Sequence, residues 1–340
     1  MKAMIRSKLL LAGALALVVI AGCSSTATPP GSQVETGLKG GAVVLSVPPM
    51  DVTGSSGSFA SLKSEADTTA LPKRLMAYRV KPANLTKSAF EARARKLGLT
   101  GATEDLGASF QVVGPSASYE VDKFTGSFDY TTNALEKQAQ PLRRLLSDGE
   151  YRQRAEAFLN SAGLMEEAAE FRDVNRGNVV HNYENGQWVA QPYMVEVRFS
   201  HKPLNGIAFD KGVGPKIVVQ FGEDGQILGA MSVWRNVQPF AEYSLKSPQE
   251  ALTAVRNGEA AFFDVGRQDS GVVKEISLSY MNEPRGYNQQ YVLPEYLLDG
   301  VASGGRSFGV VTRAIPDALL RVDPSLTGPP AVAPLSTGKK

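Results

Sequence analysis

Two rhythms of apolar residues alternate along this chain, one at helical spacing and one at every second position, and the pair recurs three times. In the first copy Phe90, Ala94 and Leu97 follow Asn84-Leu85-Thr86 at helical spacing, and Gly98 stands where a helix would stop. Strand-like runs follow at Phe110 to Val113, Ser118 to Val121 and Ser127 to Thr131, the last after the turn Asp122-Lys123-Phe124-Thr125-Gly126. In the second copy Asp148 is the expected N-cap, and Tyr151, Ala155, Phe158 and Leu159 mark one helix face before Gly163. Strands are expected at Asn178 to Tyr183 and Trp188 to Phe199, then a hairpin of Lys216 to Phe221 and Gln226 to Val233 about Gly222-Glu223-Asp224-Gly225. The third copy opens on Ser247-Pro248-Gln249-Glu250, a capping box with proline at the first helical position. Its buried face is Ala251, Leu252, Ala254 and Val255, and strands are expected at Val272 to Met281, Tyr291 to Leu298 and Ser307 to Thr312. Helices are therefore predicted near 86–97, 149–162 and 248–257, within an α+β fold of consecutive helix-plus-antiparallel-sheet units. A single large antiparallel sheet with helices on one face is the alternative.

The flanks follow other rules. The basic start (Lys2, Arg6, Lys8) precedes an apolar run from Leu9 to Ala21, too short to span a bilayer as a helix but suited to a signal peptide. Ser24 to Gly41 is rich in Ser, Thr, Pro and Gly and is expected to be a flexible tether, averaging about 25 Å end to end. The proline-rich stretch after Pro324 is expected to be a disordered tail. The resulting division is 1–22 signal peptide, 23–72 anchor and tether, 73–140, 141–244 and 245–323 folded units, and 324–340 tail.

Removal of residues 1–22 takes three of the 36 basic side chains, leaving 33 against 34 acidic ones. A near-neutral surface offers no electrostatic footprint for nucleic acid. Cys23 is the only cysteine, so no intramolecular disulfide forms. The tetrad Ile20-Ala21-Gly22-Cys23 resembles the lipobox of bacterial lipoproteins. That resemblance implies lipid on Cys23, cleavage before it, and anchoring to the outer face of the cytoplasmic membrane or to the outer membrane.

The body resembles a second group. The helix, the strands and the Asp122-to-Gly126 turn look like the PepSY-type module, whose strands often end in a similar Asp-x-x-Thr-Gly turn; Val219 to Gly225 is similar in the second copy. Ser247 to Gly258, Ile276 to Tyr280 and Tyr291-Val292-Leu293-Pro294-Glu295-Tyr296 resemble the last part of YycH/YycI-type extracytoplasmic regulators, in which an Ala-Leu helix precedes Leu-x-Tyr and Leu-x-Pro strands. The likeness covers Leu85 to Thr312 and departs in using a lipobox where those regulators use a transmembrane helix. It implies a non-catalytic envelope module that binds or restrains another protein, and it brings no catalytic residues with it.

Chemistry-bearing candidates are few. His181 and His201 are the only histidines, too few for a zinc site without cysteine help, so no metal and no cofactor is expected. Ser200 and His201 are sequence neighbours on a predicted strand and point to opposite faces, which is poor geometry for nucleophile and base. The glycines at 206, 212, 214 and 300–305 lack the spacing of phosphate loops. Glu166-Glu167 and Glu283 with Glu295 would serve glycoside hydrolysis only at a defined separation. An envelope hydrolase is thus the alternative function. Trp188 and Trp234 are expected to pack in the second unit, with their indole N–H groups satisfied by backbone. Tyr280, Tyr291 and Tyr296 are expected to be partly buried in the sheet. Asn282 to Gln290 is longer than a usual hairpin loop, and its Arg285 and Tyr287 are expected to be exposed and to bind the partner protein.

Overall fold

The computed structural model describes residues 43–50, 58–138, 140–184, 186–209, 214–263 and 267–327. The signal segment, Cys23 and the stretch up to Gly41 lie outside the described residues, as does the chain beyond Thr327.

Part of the expected tether is sheet. Leu45–Val47 (β1) buries Leu45 and Val47, and Ser58–Ser64 (β2) buries Phe59 and Leu62. The sequence allows one short strand within 42–50, where β1 lies, but gives no sign of β2, whose pairing partner β14 is more than 200 residues away. Arg74–Lys81 (β3) follows.

The first helix, Lys87–Lys96 (α1), is capped by Thr86, whose hydroxyl accepts from Ala89 N at 3.2 Å. Four strands follow: Thr103–Asp105 (β4), Ser109–Val113 (β5), Ala117–Asp122 (β6) and Phe128–Thr132 (β7). The second helix, Asp148–Ala162 (α2), starts one residue earlier than expected. Its N-cap is Ser147, in a capping box with Glu150, and Gly163 ends it at φ 69°, a conformation that glycine adopts without steric cost. Four strands again follow: Ala169–Glu184 (β8), Gln187–His201 (β9), Lys216–Phe221 (β10) and Ile227–Val233 (β11).

These eight strands form one antiparallel sheet in the order β4-β5-β6-β7-β11-β10-β9-β8. Two helix-plus-meander repeats therefore meet at their last strands, β7 and β11. The ladder there is short, Gly229–Thr131 to Met231–Asp129, and two buried hydroxyls extend it. Ser127 Oγ donates to Trp234 O at 3.1 Å, and Phe128 N donates to Ser232 Oγ at 3.0 Å. α1 and α2 bury Phe90, Ala94, Tyr151, Ala155 and Leu159 in one core with the inward residues of both meanders.

The chain then forms Asn236–Ser244 (β12) and Pro248–Arg256 (α3), whose Ser247/Glu250 capping box and Pro248 match the sequence expectation. Ala261–Phe263 (β13), Arg267–Tyr280 (β14), Tyr291–Val292 (β15), Pro294–Ala302 (β16), Ser307–Arg313 (β17) and Leu320–Val322 (β18) complete it. This third unit is not a third meander. Its sheet order is β13-β17-β16-β14-β2, with β2 added in parallel from the N-terminal side, over a core of Ala251, Leu252, Val255, Phe262, Tyr296 and Phe308. The expected Tyr291 to Leu298 strand is split at Leu293: β15 pairs with β3 and β16 with β14. A small sheet β12-β3-β15 results, and it joins the two larger ones. The first turn of the expected C-terminal tail packs, with Leu326 buried.

Candidate functional site

The two repeats and the small sheet meet around Trp234 and Arg235, just after β11. Trp234 is fully buried, and His201, at the end of β9, stacks on its ring at 5.2 Å and 22°. His201 Nδ1 lies 2.6 Å from Lys202 O; a carbonyl only accepts, so Nδ1 carries the proton and the neutral ring keeps its Nε2 lone pair. Burial lowers the pKa of His201, against the opposing hydrogen bond to Lys202 O and the carboxylates of Glu170 and Glu166. The imidazole forms part of an open groove of about 730 Å³ lined also by Tyr78, Lys81, Glu166, Glu167, Lys202 and Pro239. Glu166 is held there by Asn236 Nδ2 at 3.2 Å. Among the described residues that line the groove none is serine, threonine or cysteine.

Across the seam, the 282–290 loop behaves differently from the sequence expectation. Arg285 is half-buried, with 27% of its side chain exposed, and donates to Glu120 Oε1 on β6 at 2.9 Å. Tyr287 is also half-buried, and its carbonyl accepts from Arg235 Nη2 at 3.0 Å. Arg235 further donates to the carbonyls of Glu283 (2.6 Å) and Pro284 (3.0 Å), while Gln289 bridges Glu283 N and Met281 O. The loop is a brace between sheets. Sequence spacing found its length but not the arginine that holds it, because Arg235 is 48 residues away.

Glu283 and Glu295 are both buried. Glu295 pairs in register with Ser279 on β14 and Arg313 on β17, so the three side chains share one face. Burial first, then Glu283, pushes the Glu295 carboxyl up to about 8, against the pull of Arg313. Its Oε2 has no hydrogen-bond partner among the described residues, nor has the Asn282 side chain. Elsewhere, buried Lys246 pairs with Asp317 at 2.7 Å and divides two smaller pockets of about 470 and 400 Å³ beside α3. Among the described residues no three His, Cys, Asp or Glu side chains converge as a metal site.

His181 and Trp188 lie far from these groups. β10 pairs with β9 only over 195–200, so the outer halves of β8 and β9 form a two-stranded ribbon beyond the sheet. Trp188 is 69% exposed on it, which corrects the expectation that it packs; Trp234 packs, but its Nε1 has no partner among the described residues.

Four sheet edges are blunted. β12 carries Pro239 beside a bulge, β8 is bulged at three places, and β4 and β13 are three residues each. These features discourage strand addition at those four edges; β2 and β15 are the other edges of the three larger sheets. Among the described residues no helix is long and apolar enough to cross a membrane.

No family model matches the chain. No curated protein matches it either. Among solved structures, an uncharacterized protein from Eubacterium rectale ATCC 33656 aligns over 78% of this chain and 90% of its own, at 10% identity and a TM-score of 0.36.

Proposed function

We propose that this chain is a lipid-anchored envelope protein that acts without catalysis, holding an extended segment of a protein partner in the groove at His201. The observation that carries this reading is the groove itself. It is open, and it presents two cations (Lys81, Lys202) and two carboxylates (Glu166, Glu167) around an apolar floor of Tyr78, Leu204 and Val237. Both charge signs within reach of an apolar strip suit a polypeptide better than a uniformly charged ligand. The neutral His201 Nε2 supplies an acceptor for a backbone or side-chain N–H. The repeated helix-plus-four-strand unit and the Asp122 turn support a PepSY-like origin, and the Ile20-to-Cys23 tetrad supports the anchor.

A photo-crosslinking residue at Val237, compared with one at exposed Leu106 on the far meander, tests the site in native membranes. Capture of one partner from position 237 alone supports the reading. The competing envelope-hydrolase reading wins if purified protein cleaves peptide, ester or glycan substrates and His201→Ala abolishes that cleavage. Mass spectrometry of wild type against Cys23→Ala tests the anchor; an unlipidated wild type refutes it.

A further inference from the structure

The outer ribbon of β8 and β9 has a composition unlike the rest of the chain. Charged residues make up 21% of the sequence, yet Val179 to Pro192 contains one, Glu184. Beyond the base of the ribbon Glu184, in the pair that closes the hairpin, is the one charged residue. Its base carries Arg172, Asp173, Arg176, Glu196 and Arg198, with Arg198 bonded to Glu196 at 2.8 Å.

The register sorts the ribbon into two faces. Val179–Pro192, His181–Ala190 and Tyr183–Trp188 are successive pairs on one face, and Val180–Gln191 and Asn182–Val189 lie on the other. The first face thus ends in an aromatic pair at the tip. The rings of Tyr183 and Trp188 sit 5.4 Å apart and edge-on, and the two residues are 64% and 69% exposed. A two-stranded ribbon is marginal in water. Here Asn182 Nδ2 donating to Gln191 Oε1 at 2.9 Å and the aromatic pair hold it together, while Leu142 N bonds Pro192 O at its root. The pair with Tyr183 leaves most of Trp188 in solvent, and an aspartate or lysine there would expose less apolar area.

We propose that this tip inserts Tyr183 and Trp188 into the headgroup interface of a bilayer, making a second membrane contact for a body tethered through Cys23. Tyrosine and tryptophan favour that layer because each joins an apolar ring to a polar N–H or O–H. The scarcity of charge matters equally, since a buried lysine or aspartate would resist entry. The six paired rungs extend roughly 17 Å, enough to carry the tip clear of the sheet. Neutral, zwitterionic lipid is the matching surface, because no lysine or arginine stands at the tip to attract anionic headgroups. Proximity to the bilayer rests on the proposed lipid at Cys23, and the insertion itself rests on the ribbon.

The chain has two tryptophans, and Trp234 is fully buried, so wild-type emission minus that of Trp188→Phe reports the tip alone. The full chain is mixed with phosphatidylcholine vesicles and read by emission, by aqueous iodide, and by lipids brominated near the headgroup. The tip signal is expected to shift to the blue, escape iodide and be quenched by the brominated lipid. Ala190→Asp, on the same face, is expected to reverse all three without lowering Tm. Emission that stays red and open to iodide overturns the proposal. Iodide protection without quenching by brominated lipid also overturns it, since the tip then packs on protein or on a second copy. Cosedimentation of wild type against Cys23→Ala is read separately, so loss of the anchor is distinguished from failure of the tip.

Discussion

The guanidinium of Arg235, at the end of the second meander, donates to the backbone carbonyl of Tyr287 at 3.0 Å and so fastens the C-terminal sheet to the N-terminal one. Its other bonds, to the carbonyls of Glu283 and Pro284, use the same planar fork. A buried cation with neutral carbonyl partners needs countercharge nearby, and Glu283 and Asp122 supply it. Burial lowers the Arg235 pKa to about 10, which leaves it charged at neutral pH.

Removal of this fork should loosen the joint. Arg235→Ala is expected to cost about 3–5 kcal/mol, because three carbonyls lose their donor and the carboxylates of Glu283 and Asp122 lose a countercharge in a buried place. Lysine, a point donor, restores only part. Arg285→Ala, by contrast, breaks one half-exposed ion pair and should cost about 1 kcal/mol or less. Urea titration gives both values, and hydrogen exchange at 282–290 should rise sharply only in the Arg235 variants. Equal costs for Arg235 and Arg285 would contradict this picture.

The Asp122 turn is held by a carboxylate rather than by its glycine alone. Asp122 Oδ1 accepts from Phe124 N (3.0 Å), Thr125 N (2.6 Å) and Thr125 Oγ1 (2.8 Å). Asp122→Ala leaves these donors unpaired beside the seam and is expected to destabilise by about 2–3 kcal/mol. Asp122→Asn keeps an acceptor in place and should cost less than half of that. Thermal melts of the two variants at one pH decide the order.

Glu295 makes stability depend on pH. Its folded-state carboxyl titrates near 8, far above a free glutamate, so the folded protein holds a proton that the unfolded chain has lost. Between about pH 4.5 and 8 the native state therefore binds more protons, and stability from this group falls as pH rises. Glu295→Gln mimics the protonated form. It is expected to raise stability at pH 8 by about 1–3 kcal/mol relative to wild type and to change little at pH 5. A gain that is constant across this range would mean that the carboxyl titrates normally.

Legibility in the sequence followed the range of the forces involved. The helices at 87–96, 148–162 and 248–256 and the meander strands are written in local periodicity and caps, so they were readable. β2, β3 and β12 are stabilised by partners far along the chain; β3 pairs with β12 across some 160 residues, and no local rhythm announces such pairing. The site was less legible still. His201 was visible as a residue, but its groove needs β3 and β12 in place. Arg285 and Tyr287 had the composition of a recognition loop, and only the position of Arg235 reveals that they serve as a brace.

The two tryptophans give a contrast that composition cannot supply. Both follow an apolar-rich pattern, yet Trp234 is enclosed at the junction of the meanders against His201 and Trp188 stands on a ribbon with water on both sides. Trp234→Ala removes a large, fully enclosed ring and should cost about 3–5 kcal/mol through lost burial and the cavity left behind. His201, stacked on that ring, should then lose its fixed orientation, so its NMR titration is expected to move up toward the free histidine value of about 6.5. Trp188→Ala removes one exposed cross-strand partner of Tyr183 and should cost about 1 kcal/mol or less. Denaturant midpoints measured without lipid give the comparison. A cost at Trp188 approaching that at Trp234 would mean that the ribbon folds back onto the body, and the tip would no longer be free to meet a membrane.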